Sequence, residues 1–336
     1  MGQQCCNPKT GYMPDQIPIN IYTPEQMDYQ VVQTKNHILE EVSQGCDEVE
    51  SNRNQLVDEH LPNEAMKLNE IPKLENQIAE SIRQQLEPIK LNYDSQYQIY
   101  QPVQIVNYKP NGDIQSIVFY EGQWYKQKRN GAGVQYYPDG SIYEGHWSQN
   151  NHEGFGRIIY ADGEYFIGEW KQGQIHGEGT LVNKELTYTG KWENGIQNGQ
   201  GYQKKSNGTI YEGLFKNGRK HGSGLVKYPD NSQYKGNFVE DRYDGIGEYK
   251  WSDGRTYGGE WKNNLINGKG EMRYPTGDKY IGHFKNDKKH GLGKLIQFNG
   301  ISIEGEWDQG KLNGEAKITQ PDGESSQVYF KNDQII

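Results

Sequence analysis

The segment Tyr143-Glu144-Gly145-His146-Trp147 returns along the chain as Tyr-x-Gly-x-Trp/Phe at an almost constant interval of 23 residues, and a short tandem period constrains a fold more than any other local feature. The leading position holds Tyr120, Tyr143, Phe166, Tyr188, Tyr211, Tyr234, Tyr257, Tyr280 and Ile303, with a single step of 22 between Phe166 and Tyr188. Two residues on stand Gly122, Gly145, Gly168, Gly190, Gly213, Gly236, Gly259, Gly282 and Gly305; two further on stand Trp124, Trp147, Trp170, Trp192, Phe215, Phe238, Trp261, Phe284 and Trp307. Alternation at period two predicts a strand. Seven residues beyond the ring comes a Gly-x-Gly, such as Gly154/Gly156, Gly222/Gly224 or Gly291/Gly293, which is expected to open a second strand. Turns of the type Tyr137-Pro138-Asp139-Gly140 then return the chain to the next leader. Each copy reads as one hairpin. Nine in tandem predict an elongated, single-layer antiparallel β-meander, about 85 Å long at the usual spacing between strands.

Composition agrees with a one-layer structure. Gly fills 42 of 336 positions while the apolar set including Tyr and Trp reaches only 32%, so rings lying on bare backbone, rather than a dense aliphatic core, must supply the burial. The net charge of −9 is unevenly spread: residues 1–100 hold 16 acidic and 7 basic residues, and residues 101–336 hold 29 of each. Neither half has the basic excess of a nucleic-acid-binding domain. Cys5, Cys6 and Cys46 cannot form a disulfide framework and offer no Cys-x-x-Cys pair. No apolar run is long enough to span a bilayer or to act as a secretory core, so a cytoplasmic location is expected.

The signature Tyr-x-Gly-x-Trp-x-x-Gly-x-x-x-Gly-x-Gly, carried by Tyr143, Gly145, Trp147, Gly154 and Gly156 in one copy and by Tyr211, Gly213, Phe215, Gly222 and Gly224 in another, resembles the MORN (membrane occupation and recognition nexus) repeat over residues 120–316. The pattern departs at its middle Gly, where Gln127, Asn150, Asp241, Asn264 and Asp287 stand, a turn position that Asn and Asp tolerate. The resemblance implies the extended single-sheet fold. Similar modules occur in junctophilins, plant phosphatidylinositol-phosphate kinases, radial spoke head subunits and apicomplexan scaffolds. It therefore implies association with protein partners, lipids or further copies, and no cofactor.

Before the repeats, Thr23 as N-cap and Pro24 open a helical pattern over residues 24–60, whose seam is Val32, Lys35, Leu39, Val42, Cys46, Val49, Arg53 and Leu56. A second helix after Pro72 carries Leu74, Ile78, Ile82 and Leu86. These helices are expected either to pack on the first repeats or to form a partner-binding or dimerising coiled coil; the rod ends offer another route to a homodimer. Met1-Gly2-Gln3-Gln4-Cys5-Cys6 places a candidate myristoyl site, Gly2, beside two candidate palmitoyl sites, Cys5 and Cys6, although Cys6 stands where Ser or Thr is usual. The expected organisation is 1–22, an acylated terminus; 23–87, an acidic helical segment; 88–118, a Tyr/Gln-rich linker and half-repeat; 119–318, nine repeats; and 319–336, a faded capping repeat.

Catalytic patterns dissolve once the copies are aligned. His176, His221 and His290 occupy a slot filled elsewhere by Asn, Asp or Glu, read as a turn slot with no metal role, and Ser223 of Gly222-Ser223-Gly224 occupies a freely varying one. The stronger candidates are three basic clusters in corresponding hairpin loops, Lys126/Lys128/Arg129, Lys216/Arg219/Lys220 and Lys285/Lys288/Lys289, expected to project from one edge toward acidic partners or anionic phospholipid. The sequence thus predicts a non-enzymatic scaffold tethered to the cytoplasmic face of a membrane. The alternatives are a structural subunit of a cytoskeletal or ciliary assembly and a module acting in trans on a lipid kinase.

Overall fold

A computed structural model of the chain describes residues 77–108 and 114–336. The helical pattern of residues 24–60 and the acylation candidates Gly2, Cys5 and Cys6 lie outside the described residues. Two compact units meet in sequence at Asn183/Lys184.

The first unit opens with helix α1 (Gln77–Gln85), the second of the two predicted helices, and continues with strands β1 (Gln98–Tyr108), β2 (Ile114–Tyr125), β3 (Lys128–Tyr136), β4 (Ile142–Ser148), β5 (Asn151–Ile159), β6 (Tyr165–Lys171) and β7 (Gln174–Val182). Each strand pairs antiparallel with its successor in the chain. Strand β1 begins inside the stretch expected as a linker, and its pairing from Gln98↔Trp124 to Tyr108↔Ile114 makes a hairpin with β2, the strand that carries Tyr120, Gly122 and Trp124 of the first copy. The second unit starts with β8 (Leu186–Glu193), β9 (Ile196–Lys205), β10 (Ile210–Lys216) and β11 (Arg219–Lys227), and repeats the same hairpin to β20 (Ser325–Lys331) and the two-residue β21 (Gln334–Ile335). The faded tenth copy is thus a strand, with Phe330 buried.

One copy explains the rest. The Tyr211 ring lies across Gly213 and Gly224, which face each other on adjacent strands. A Cβ on either would fall 2.6 Å from the Tyr211 hydroxyl oxygen, closer than real Cβ contacts come, so both must be Gly. The ring is fixed at its far end too, since the Tyr211 hydroxyl donates to the Leu214 carbonyl at 2.8 Å. Tyr143, Tyr188, Tyr234, Tyr257 and Tyr280 repeat that bond to the carbonyl three residues on. Leader tyrosines meet two further rings edge-on: Tyr143 contacts its own Trp147 at 5.0 Å and the next copy's Trp170 at 5.4 Å, and Tyr211 contacts Phe215 at 5.0 Å and Phe238 at 5.2 Å. The core is therefore a ladder of perpendicular ring pairs on one sheet face, each worth roughly 0.5–1.5 kcal/mol beyond its area.

The Gly-x-Gly does not open the second strand. Strand β5 starts at Asn151, three residues earlier, and Gly154 sits in a bulge where Glu153, Gly154 and Phe155 oppose the single residue His146. Gly154 has φ +64°, a left-handed conformation that Gly adopts at the least steric cost. The first glycine of the pair serves the bulge and the second serves the ring.

The opposite sheet face of the first unit carries α1. Ala79 is fully buried against Val134, Ile142 and Ile159, with Ile82, Leu86, Tyr136 and Tyr165 around them. Beneath it, Glu144 pairs with the buried Arg157 and with Arg83 of the helix at 3.0 Å. Of the two expectations for this helix, packing on the first repeats is the one observed.

Candidate functional site

The loop joining the two strands of each hairpin has two residues, both left-handed: Gln149 and Asn150 at φ 51° and 75°, Glu240 and Asp241 at 48° and 66°, Asn286 and Asp287 at 49° and 65°. This is the type I′ geometry that matches strand twist, and it accounts for Asn, Asp or Gly at the second position. Asn and Asp do more than tolerate it. The Asn150 side chain accepts the Arg129 backbone N–H at 2.8 Å while its own N–H donates to the Arg129 carbonyl at 3.1 Å. Asp241 does the same with Lys220, Asn264 with Tyr243, and Asp287 with Ile266. Where Gly173 or Gly218 stands in that slot, only the backbone bond remains.

The three basic clusters sit on these loops, but their members divide three ways. Lys126, Lys216 and Lys285 are exposed at the edge. Lys128, Arg219 and Lys288 reach sideways to the first loop residue of the following copy, namely Gln149 at 2.7 Å, Glu240 at 3.5 Å and Gln309 at 3.2 Å. Arg129, Lys220 and Lys289 do not project from the edge; each turns inward over the rings. The Arg129 guanidinium lies 4.4 Å from the Trp147 ring centre and bonds Gln135 and the Asn150 carbonyl. Lys220 Nζ lies 5.3 Å from the Tyr211 ring and 3.7 Å from Asp241, and Lys289 Nζ is 4.5 Å from the Trp307 ring. Burial holds the Lys220 ammonium below its ordinary pKa, with Asp241 opposing that shift. The reason for the inward turn is strand alternation: these residues stand nine after the leader, on the ring face.

That ninth position is a site which sequence similarity conceals. Its occupants are Arg129, His152, Ile175, Gln197, Lys220, Tyr243, Ile266, Lys289 and Leu312, of which Arg129, His152, Lys220, Tyr243 and Lys289 lie over the leader ring. His152 stacks on Tyr143 at 3.6 Å and 11°, and Tyr243 on Tyr234 at 3.8 Å and 17°. The Tyr137 hydroxyl meets His152 Nε2 at 3.0 Å, and the Tyr228 and Tyr243 hydroxyls bond each other. The predicted turn histidines lie one residue further on and within strands: His176 in β7, His221 in β11, and His290 in the strand Lys288–Ile296, where its Nδ1 stands 3.4 Å from Asp308. Bulging rather than turning is what that slot requires. Among the described residues no group of three His, Cys, Asp or Glu side chains could hold a metal ion, and no helix is long and apolar enough to cross a membrane.

His152 makes one consequence measurable. Burial first, and the Arg129 charge second, hold it well below its ordinary pKa of 6.5. The unfolded chain then binds the proton that the folded one refuses, so this contribution to stability is present above pH 6.5 and is lost as pH falls. Acidification from pH 7.5 to 5.5 is expected to destabilise the protein by about 1 kcal/mol more than the His152→Ile variant, which carries the residue that the next copy has at this position. Urea midpoints at the two pH values measure it, and equal losses in both proteins would refute the assignment.

A protein-family model described as "MORN repeat" matches residues 120–142, 143–165, 166–183, 188–210, 211–233, 234–254, 257–279, 280–302 and 304–325. No curated protein matches the chain. Among solved structures the chain is similar to the TCP domain of SAS-4 (dCPAP) from Drosophila melanogaster in complex with a proline-rich motif of Ana2 (dSTIL), at 11% identity over 73% of this chain and 97% of that one, with a TM-score of 0.18. It is also similar to selenomethionine-substituted virginiamycin B lyase from Staphylococcus aureus, at 9% identity over 59% and 69% of the two chains, with a TM-score of 0.13. Likenesses this shallow carry no functional weight.

Proposed function

The chain belongs to the MORN-repeat family, and on that premise we propose that it is a non-enzymatic scaffold held at the cytoplasmic face of a membrane by acylation of Gly2 together with Cys5 or Cys6. The observation that supports a scaffold is the division of labour within each copy. The residues that recur, leader, ring and glycines, are consumed by packing, while those that differ between copies, apart from the ninth position that lies over the rings, stand at the loop edge and on the face opposite the rings. A surface assembled this way offers protein partners a series of distinct binding positions on one repeating frame. Lys126, Lys216 and Lys285 are the loop cations left to meet acidic partners or anionic headgroups.

Two acyl chains are needed for the tether, because a single myristoyl group binds membranes only marginally. No basic cluster adjoins Gly2 to supply the second signal, so the cysteines are assigned that part. Metabolic labelling with myristate and palmitate analogues, followed by fractionation, tests the reading. The wild-type protein is expected in membranes, and the Gly2→Ala and Cys5→Ser/Cys6→Ser variants in the soluble fraction. An unlabelled, soluble wild type overturns the tether, and detergent-resistant co-purification with microtubule structures would replace it with a ciliary or cytoskeletal role.

A further inference from the structure

The face opposite the rings takes a helix, and the chain holds a second sequence built like that helix. Val49-Glu50-Ser51-Asn52-Arg53-Asn54-Gln55-Leu56 aligns without a gap on Ala79-Glu80-Ser81-Ile82-Arg83-Gln84-Gln85-Leu86, with Glu, Ser, Arg, Gln and Leu identical. In α1 this stretch makes the contacts. Ala79 is fully buried and Leu86 packs beside it. Arg83 reaches Glu144 and the Tyr136 hydroxyl, both at 3.0 Å, and pairs with Glu80 at 3.5 Å, while Gln85 donates to Ser81 at 3.1 Å. Residues 49–56 keep Glu80, Ser81, Arg83, Gln85 and Leu86 as Glu50, Ser51, Arg53, Gln55 and Leu56, while Val49 stands for Ala79 and Asn52 for Ile82.

Among the described residues, an exposed surface adjoins α1. Phe155 of β5 is 48% exposed, its cross-strand neighbour is the exposed Glu169 of β6, and the half-buried Ile167 lies two residues from Glu169 on the same face. The described chain begins beside it: Ile78, at the start of α1, lies against Gly163 in the turn between β5 and β6. Twenty residues separate Leu56 from Gln77 and can span about 66 Å, far more than the roughly 10 Å that covers two neighbouring strands.

We propose that residues 49–56 dock as a second α1 on the β5–β6–β7 surface of the same molecule, with Val49 and Leu56 covering Phe155 and Ile167, and Arg53 meeting Glu169 as Arg83 meets Glu144. The occupant is named by its likeness to the helix already seated on this face and by the continuity of the two surfaces. It extends the scaffold's N-terminal cover from two hairpins to three, and it holds whether or not Gly2 is acylated.

Thiol labelling of the full chain tests it, with Cys5, Cys6 and Cys46 replaced by Ala. Phe155→Cys and Leu292→Cys place single reporters at the same position of two copies, Leu292 being 71% exposed. Labelling at 155 is expected to be about tenfold slower than at 292, corresponding to a docking equilibrium of about ten. Arg53→Glu should bring the two rates together, and Glu169→Arg added to it should slow position 155 again. Because the Phe155 reporter removes part of the contact, Glu178→Cys serves as a second reporter that leaves Phe155 in place. Equal rates with Arg53 intact, or a slow rate that Arg53→Glu does not change, would overturn the docking. Protection that grows with protein concentration would also overturn it, since it would assign the surface to a second copy.

Discussion

Alanine at Gly259 is expected to lower the stability of the protein by about 3 kcal/mol, while alanine one residue earlier, at Gly258, leaves it unchanged or raises it by up to about 1 kcal/mol. The two positions are adjacent in the strand Thr256–Lys262 and differ only in the face toward which a side chain would project. A Cβ on Gly259 would fall 2.5 Å from the Gly270 Cα and from the Lys269 carbonyl oxygen, under the Tyr257 ring, and all three are fixed by backbone pairing or burial. Relief requires the ring to leave its bed, and the edge-on contacts to Trp261 and Phe284 leave with it. A Cβ on Gly258 would meet nothing within 4 Å, and its backbone is not left-handed, so Ala there reduces only the freedom of the unfolded chain. Urea midpoints of the two variants decide the matter, and similar losses at both sites would mean that strand glycines serve flexibility instead of a bed for rings.

This contrast also marks what can be read from the sequence. The period, the alternating Tyr, Gly and Trp, and the hairpin meander are legible because every copy solves the same packing problem with the same residues. The middle-loop Asn and Asp are legible as turn residues. Their second task is not, because the hydrogen bond that the Asn150 side chain accepts from the backbone N–H of Arg129 depends on inter-copy register and leaves no mark on residue type. The ninth position escapes notice for the opposite reason: Arg129, His152 and Tyr243 share no chemistry, and each covers a ring with whatever flat or flexible surface it has. The same effect conceals the inward turn of Arg129, Lys220 and Lys289. A basic run next to a loop reads as a charged edge, whereas strand alternation sends every second side chain to the rings. Seating of α1 is hidden too, since a Glu144–Arg157 cross-strand pair looks like an ordinary solvated pair until a helix covers it.

That covered pair yields the other large effect. Glu144→Ala is expected to destabilise the first unit by about 3–5 kcal/mol, although a charge on a β-strand face is usually dispensable. Arg157 is 1% exposed, and without Glu144 its guanidinium keeps only the Glu87 carbonyl at 3.1 Å. An uncompensated charge in that position costs more than the pair contributes. Arg83→Ala acts differently. The Arg83 side chain is 26% exposed, and its loss leaves Glu144 paired with Arg157, so the cost is about 1 kcal/mol and falls mainly on the seating of α1. Limited proteolysis between residues 77 and 97 should therefore accelerate in Arg83→Ala while the unfolding midpoint of the sheet hardly moves. In Glu144→Ala both should change. The double variant Glu144→Ala/Arg157→Ala separates a stranded charge from lost packing: with neither charge left buried, it should be more stable than Glu144→Ala alone. A double variant as unstable as the single one, or worse, would show that the carboxylate is needed for something other than neutralising Arg157.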